Sequence, residues 1–160
     1  VGRCLRALGQ IAIMDEEHEE AAALFRQSLL VFDRIGSQLD IIDSTFDLAH
    51  TMQLLQRHDL AFELFKDALA AANQINMMPK VTDSLMGIAQ VLSKTNKPEQ
   101  SMQLAKVIAQ SEFSSLETSS AANALVESIT SCLKPEQSQA ILTSAGFTAL
   151  DTMINAYTTI

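Results

Sequence analysis

The chain has 160 residues, 48% of them apolar and 19% charged, and its 11 Lys and Arg stand against 19 Asp and Glu for a net charge of -8. A chain of this length buries roughly 70% of the surface its unfolded form exposes, so a single unit needs no disulfide or metal staple. Only 5 Gly and 3 Pro interrupt it, too few turn residues for a β-rich fold. The acidic balance is even along the chain (seven Lys and Arg against twelve Asp and Glu in residues 1–80, four against seven in 81–160) and leaves no basic patch for a nucleic-acid backbone.

An all-α chain is expected, with helices over roughly 2–14, 17–35, 38–55, 58–75, 79–94, 98–112, 115–131 and 135–144 and a ninth after Gly146. In the first pair, Leu5, Leu8 and Ala12, then Ala21, Leu24, Phe25, Ser28, Leu29 and Phe32, follow the i, i+3, i+4, i+7 spacing of amphipathic helices. Asp15 to Glu17 are placed to cap the second helix, where carboxylates meet the positive end of the helix dipole, and Gly36 ends it. Pro79, Pro98 and Pro135 each stand where a first-turn proline costs no hydrogen bond. The last segment carries Phe147, Leu150, Ile154 and Tyr157 on one stripe, as suits a helix covering the final repeat.

The helices repeat as pairs. A shift of 40 residues sets Leu8 on Leu48, Ala21 on Ala61, Leu24-Phe25 on Leu64-Phe65 and Leu29 on Leu69 without a gap, and a second carries Leu48 to Ile88 and Asp43 to Asp83. A fourth copy needs a shift of 37, which sets Lys97-Pro98-Glu99-Gln100-Ser101 on Lys134-Pro135-Glu136-Gln137-Ser138. The chain thus reads as one array over 1–160, with repeats at about 2–36, 38–76, 79–113 and 115–145 and a capping helix at 147–157. It opens at Val1 inside a helical pattern, without Met, and is expected to be a fragment of a larger protein.

These pairs resemble the tetratricopeptide repeat, whose unit places Leu-Gly early in its first (A) helix, Ala at the start of its second (B) helix, then Phe and a small residue. Leu8-Gly9, Ala21, Phe25 and Ser28 hold those places in the first copy and Leu48-Ala49, Ala61, Phe65 and Ala68 in the second. Small residues are required where the paired helices cross closely. The 40-residue period exceeds the usual 34. It is similar to the longer variant in bacterial signalling ATPases and in transcription activators related to the maltose regulator.

The resemblance implies a right-handed α-solenoid of four helix pairs whose concave face, lined by A helices, receives a protein or peptide. Its groove positions fall on Arg3, Arg6 and Gln10, on Asp43, Phe46, His50 and Gln53, on Asp83, Met86 and Gln90, and on Ser120, Asn123 and Glu127. The strip lacks the Lys/Asn clamp that holds a C-terminal carboxylate. Arg3 and Arg6 near Asp43 and Asp83 are expected instead to recognise a mixed-charge segment, with Met86, Met77 and Met78 as adaptable apolar contacts. The function expected is a non-catalytic scaffold, the sensor or interaction region of a bacterial, cytoplasmic regulator. The alternatives are a self-association module, a homodimer formed through Leu5, Leu8 and Ile11 of an uncovered first repeat, and a small-ligand sensor of a transcriptional regulator.

Other chemistry finds no support in the residues. Cys4 and Cys132 show no metal or disulfide spacing and read as buried free thiols of a reducing compartment. His18-Glu19-Glu20-Ala21-Ala22 lacks the second His of a zinc-protease helix, and the acidic run Asp15 to Glu20 reads as a solvated helix start. The glycines are too dispersed to cradle a phosphate and no nucleophile elbow occurs. No enzyme, cofactor, metal, nucleic-acid or membrane role is expected.

Overall fold

A computed structural model of the chain describes residues 1–132, 139 and 150–158. Eight helices occur among them: α1 (Gly2–Met14), α2 (His18–Ile35), α3 (Gln38–Leu54), α4 (His58–Gln74), α5 (Met78–Lys94), α6 (Pro98–Gln110), α7 (Leu116–Cys132) and α8 (Leu150–Thr158). The helix expected at 135–144, with Pro135, and the break at Gly146 lie outside the described residues. From α1 to α7 each helix packs chiefly on the next in the chain, which is the contact pattern of an all-α solenoid.

The turns explain the regularity. Helices α2 to α6 begin at residues 18, 38, 58, 78 and 98, so a half-repeat of twenty residues underlies the 40-residue period. Before each of them Glu16, Gly36, Gln56, Asn76 or Asn96 takes a left-handed φ between 55° and 67°. The next residue's N–H then donates five positions back, from Glu17 to the Ala12 carbonyl, Ser37 to Phe32, Arg57 to Met52, Met77 to Ala72 and Lys97 to Leu92, at 2.8 to 3.1 Å. This Schellman closure satisfies carbonyls that a helix end otherwise leaves unpaired. The side-chain cap expected of Asp15 to Glu17 does not form: Glu17 precedes α2 without a capping bond, and Glu16 is the left-handed residue of the turn. Pro79 and Pro98 do stand in the first turns of α5 and α6.

Small residues set the helix crossings. Ala21, Ser28, Ala49, Ala61 and Ala68 have no exposed surface, and Phe25 and Phe65 pack among them at 0% and 1% exposure. Burying each phenyl ring contributes about 2–3 kcal/mol. A Cβ on Gly9 would meet the Phe25 ring, and one on Gly87 the Phe65 ring, so these glycines sit inside helices because a ring from the B helix fills the place of their side chains.

The expectation of buried thiols changes. Cys4, Leu8 and Ile11 of α1 lie forty residues before Ser44, Leu48 and Thr51 of α3, which are buried, Ser44 against Ser28 of the preceding B helix. With no helix before α1 in the structure, Leu8 is 51% exposed where Leu48 is 5% and Ile88 0%. Cys4 is therefore exposed rather than buried, and so is Cys132, the last residue of α7. Among the described residues the terminal helix α8 packs on α4 and α6. Its Ile154 is 3% exposed and its Tyr157 ring meets Phe62 of α4 edge-on at 6.2 Å, because the seam between B helices offers the apolar surface its stripe needs.

Candidate functional site

On the side opposite α8, the A helices α1, α3, α5 and α7 approach one another across the repeats, so the array closes toward that face. Polar side chains tie its rows together. Arg6 Nε donates to Asp47 Oδ2 at 2.6 Å and Arg6 Nη1 to Asp43 Oδ2 at 3.0 Å, while Gln10 Nε2 donates to the same Asp47 oxygen at 3.3 Å. Lys80 Nζ of α5 reaches Asp43 Oδ1 at 2.9 Å. Arg3 pairs with Asp40 at 3.2 Å, and the Ser37 hydroxyl together with Arg3 holds the Asp40 carboxyl below its ordinary pKa. Arg3, Arg6 and Lys80 are thus each matched to a carboxylate of the neighbouring helix α3. Arg6, Asp43, Asp47 and Lys80 are all half-buried, which makes this ladder worth more than exposed pairs of under about 1 kcal/mol each.

Two clefts open beyond the ladder. The first, about 360 Å³, lies between α3, α5 and α7 and is lined by Phe46, Asp47, Asp83, Met86, Glu117 and Thr118, with the Phe65 ring reached past Gly87 as its floor. Phe46 meets Phe65 edge-on at 5.5 Å, and the Lys80 ammonium stands 5.1 Å from the Phe46 ring centre. Thr118 Oγ1 donates to Asp83 Oδ1 at 2.6 Å, and Ser115 Oγ, 2.8 Å from Thr118 Oγ1, accepts the Thr118 N–H at 3.0 Å. This reciprocal bonding at the start of α7 holds the rim of the cleft. The second cleft, about 530 Å³, continues toward the C-terminal ends of α3, α5 and α7 past Gln53, Ser93, Lys94, Leu125 and Ser128. His50 and Gln90 line both, and Gln53 Nε2 donates to Gln90 Oε1 at 3.3 Å between them. Crowding by protein pushes the His50 imidazole below its ordinary pKa, against the opposing pull of Asp47.

The structure brings together ten of the residues expected to face the groove, though in different roles. Asp43, Arg3, Arg6 and Gln10 are held in the ladder; Phe46, His50, Gln53, Asp83, Met86 and Gln90 line the clefts. Arg3 and Arg6 do not approach Asp83. Ser120, Asn123 and Glu127 are exposed on α7 and line neither cleft; Thr118, Ala121, Leu125 and Ser128 face it instead. The reason is the turn before α7. Helix α6 stops at Gln110, Ser111 is extended, and the Ser114 hydroxyl bonds the Ile108 carbonyl at 2.8 Å, so α7 breaks the twenty-residue spacing by starting at 116, and Thr118, Ala121 and Leu125 rather than Ser120, Asn123 and Glu127 take the places of Asp83, Met86 and Gln90. Asp47, Lys80 and Glu117 are groove residues that the repeat pattern alone does not mark. Asp47 was legible as the i+4 neighbour of Asp43 on one helix face.

The paired helices, their small-residue crossings and the twenty-residue half-repeat coincide with a family match. Residues 1–74 match the tetratricopeptide repeat model. The chain's first two helix pairs are tetratricopeptide-like repeats. The match covers α1 to α4, and the same turn geometry carries the tetratricopeptide-like pattern on to α6. No curated protein matches the chain. Tetratricopeptide repeats are in general protein-interaction scaffolds without enzymatic activity. Among the described residues no helix is long and apolar enough to cross a membrane.

Proposed function

We propose that this tetratricopeptide-like array is a non-catalytic module that receives a protein or peptide segment along its A-helix face, as the sensor or interaction region of a cytoplasmic bacterial regulator. The observation that carries the reading is the continuity of the two clefts through His50 and Gln90 across three consecutive A helices. A surface of this kind suits an extended segment better than a compact metabolite. The long repeat supports the regulatory setting, since the resemblance is to the variant used by such proteins. Capture from a source lysate by the wild-type chain and by His50→Trp, which places bulk at the junction of both clefts, tests the site. An unchanged bound set would sink it.

A second reading, self-association through α1, is favoured by the 51% exposure of Leu8 beside Ile11 at 53%. Contiguous exposed apolar surface of this kind is normally covered. Sedimentation at several concentrations decides it: a dimer that Leu8→Asp dissociates supports the reading, and a monomer throughout removes it.

A further inference from the structure

The groove does not treat charges of the two signs alike. Arg6 is engaged by Asp43 and Asp47, Lys80 by Asp43, and Arg3 by Asp40, so the cations nearest the first cleft are matched inside the protein, while Lys94 stands on the second cleft. The carboxylates are not all matched in return. The first cleft is lined by Asp47, Asp83 and Glu117 and by no Lys or Arg. Asp47 belongs to Arg6, but Asp83 accepts only the neutral Thr118 hydroxyl, at one oxygen, and Glu117 is exposed at the mouth with no ion pair among the described residues. Beneath these acids lies an apolar floor of Phe46, Met86 and the Phe65 ring that Gly87 uncovers.

Carboxylates at the rim over aromatic and thioether groups are the arrangement that recognises a cation on an aliphatic stem: the stem lies on the floor while the head takes charge-assisted hydrogen bonds. The protein already shows the pairing once, since Lys80 stands over the Phe46 ring with its ammonium on Asp43. An acidic side chain or a C-terminal carboxylate would instead enter among three carboxylates with every nearby cation engaged.

We infer that the cleft between α3, α5 and α7 receives a lysine or arginine side chain of the partner segment, with Asp83 and Glu117 as its charge partners and Phe46 and Met86 along its stem. The inference rests on the A-helix face being the binding face and specifies what that face selects. The first cleft therefore selects a basic side chain, a role that Arg3 and Arg6 do not suggest in the sequence.

Pools of blocked random peptides whose central residue is held as Lys, Arg, Glu or Ala test this directly, with binding read by fluorescence anisotropy and located by the amide resonances of Gly87 and Thr118. The Lys and Arg pools are expected to bind about tenfold or more tighter than the Glu pool, the scale of a charged hydrogen bond. That advantage shrinks as salt rises and disappears in Asp83→Asn/Glu117→Gln, while the Ala pool binds that variant unchanged. Glu117→Gln alone, at an exposed position, keeps the test independent of folding. Equal binding by all pools, a preference for Glu, or no binding by any pool overturns the inference. If the pools bind without preference and Phe46→Ala weakens them all, the groove reading survives it; if binding moves neither Gly87 nor Thr118 and ignores Phe46→Ala, the groove reading falls as well.

Discussion

The Phe65 ring of α4 occupies the volume that a side chain on Gly87 of α5 would need, so one glycine both lets the two helices cross and gives the first cleft its floor. Gly87→Ala gains about 1 kcal/mol of helix propensity, but the ring it strikes is only 1% exposed and packed in the core. Overpacking of this kind costs about 1–3 kcal/mol. The expected net effect is a loss of up to about 2 kcal/mol, read as a lower urea midpoint. An unchanged or raised midpoint would show that Phe65 can move aside.

Gln56 and Gly36 hold equivalent turn positions with φ of 57° and 67°. A non-glycine residue pays about 1–2 kcal/mol there, and nothing stands within 4 Å of a Cβ on Gly36, so conformation alone is at stake. Gln56→Gly is expected to raise the melting temperature and Gly36→Ala to lower it, by about 2–4 °C per kcal/mol for a chain of this size. Melting shifts of equal sign in the two variants would contradict the account.

Ser28 and Ser44 share a hydrogen bond of 3.1 Å between α2 and α3, whereas the positions forty residues on are Ala68 and Ser84, and the buried Ser84 hydroxyl has no partner among the described residues. Removing one partner of a buried bond costs about 1 kcal/mol, while removing an unpaired hydroxyl is neutral or favourable. Denaturant unfolding should therefore show Ser44→Ala destabilised and Ser84→Ala unchanged or stabilised. Equal losses would mean that Ser84 is satisfied.

Burial lowers the His50 imidazole below its ordinary 6.5, with His18 adding to the lowering and Asp47 opposing it. A histidine with a lowered folded value is neutral in both states above 6.5, so its contribution is constant there. As pH falls below 6.5 the unfolded chain takes up the proton first, and stability declines until the folded value is reached. Melting curves of wild type and His50→Gln between pH 7.5 and about 5 check this: the variant should lose less stability on acidification, and identical slopes would exclude His50 as a source.

The twofold period, the small residues at the crossings and the family resemblance were legible because each depends on local spacing. A helix shows its buried face every three or four residues, and Ala21, Ala61 and Ala68 must be small whatever lies around them. The glycine stop at Gly36 was equally local. Its four equivalents were not, because Glu16, Gln56, Asn76 and Asn96 adopt the same conformation without the residue that advertises it. What makes them equivalent is the buried carbonyl each turn must satisfy.

The sequence by itself determined the helix pairs, their order and which faces meet, since neighbouring helices interact at fixed offsets along the chain. Tertiary structure alone decided the site. Whether Arg6 faces a ligand or its own Asp43 and Asp47 depends on how far apart two A helices stand, and whether Glu127 or Thr118 looks into the cleft depends on the register of α7 after a shortened α6. The destination of α8 was likewise open, because an apolar stripe seeks any matching seam and only the assembled array shows that the seam lies across α4 and α6. Charge and apolar patterning name the residues that can bind; distances between helices separate the charges already spent from those left for a partner.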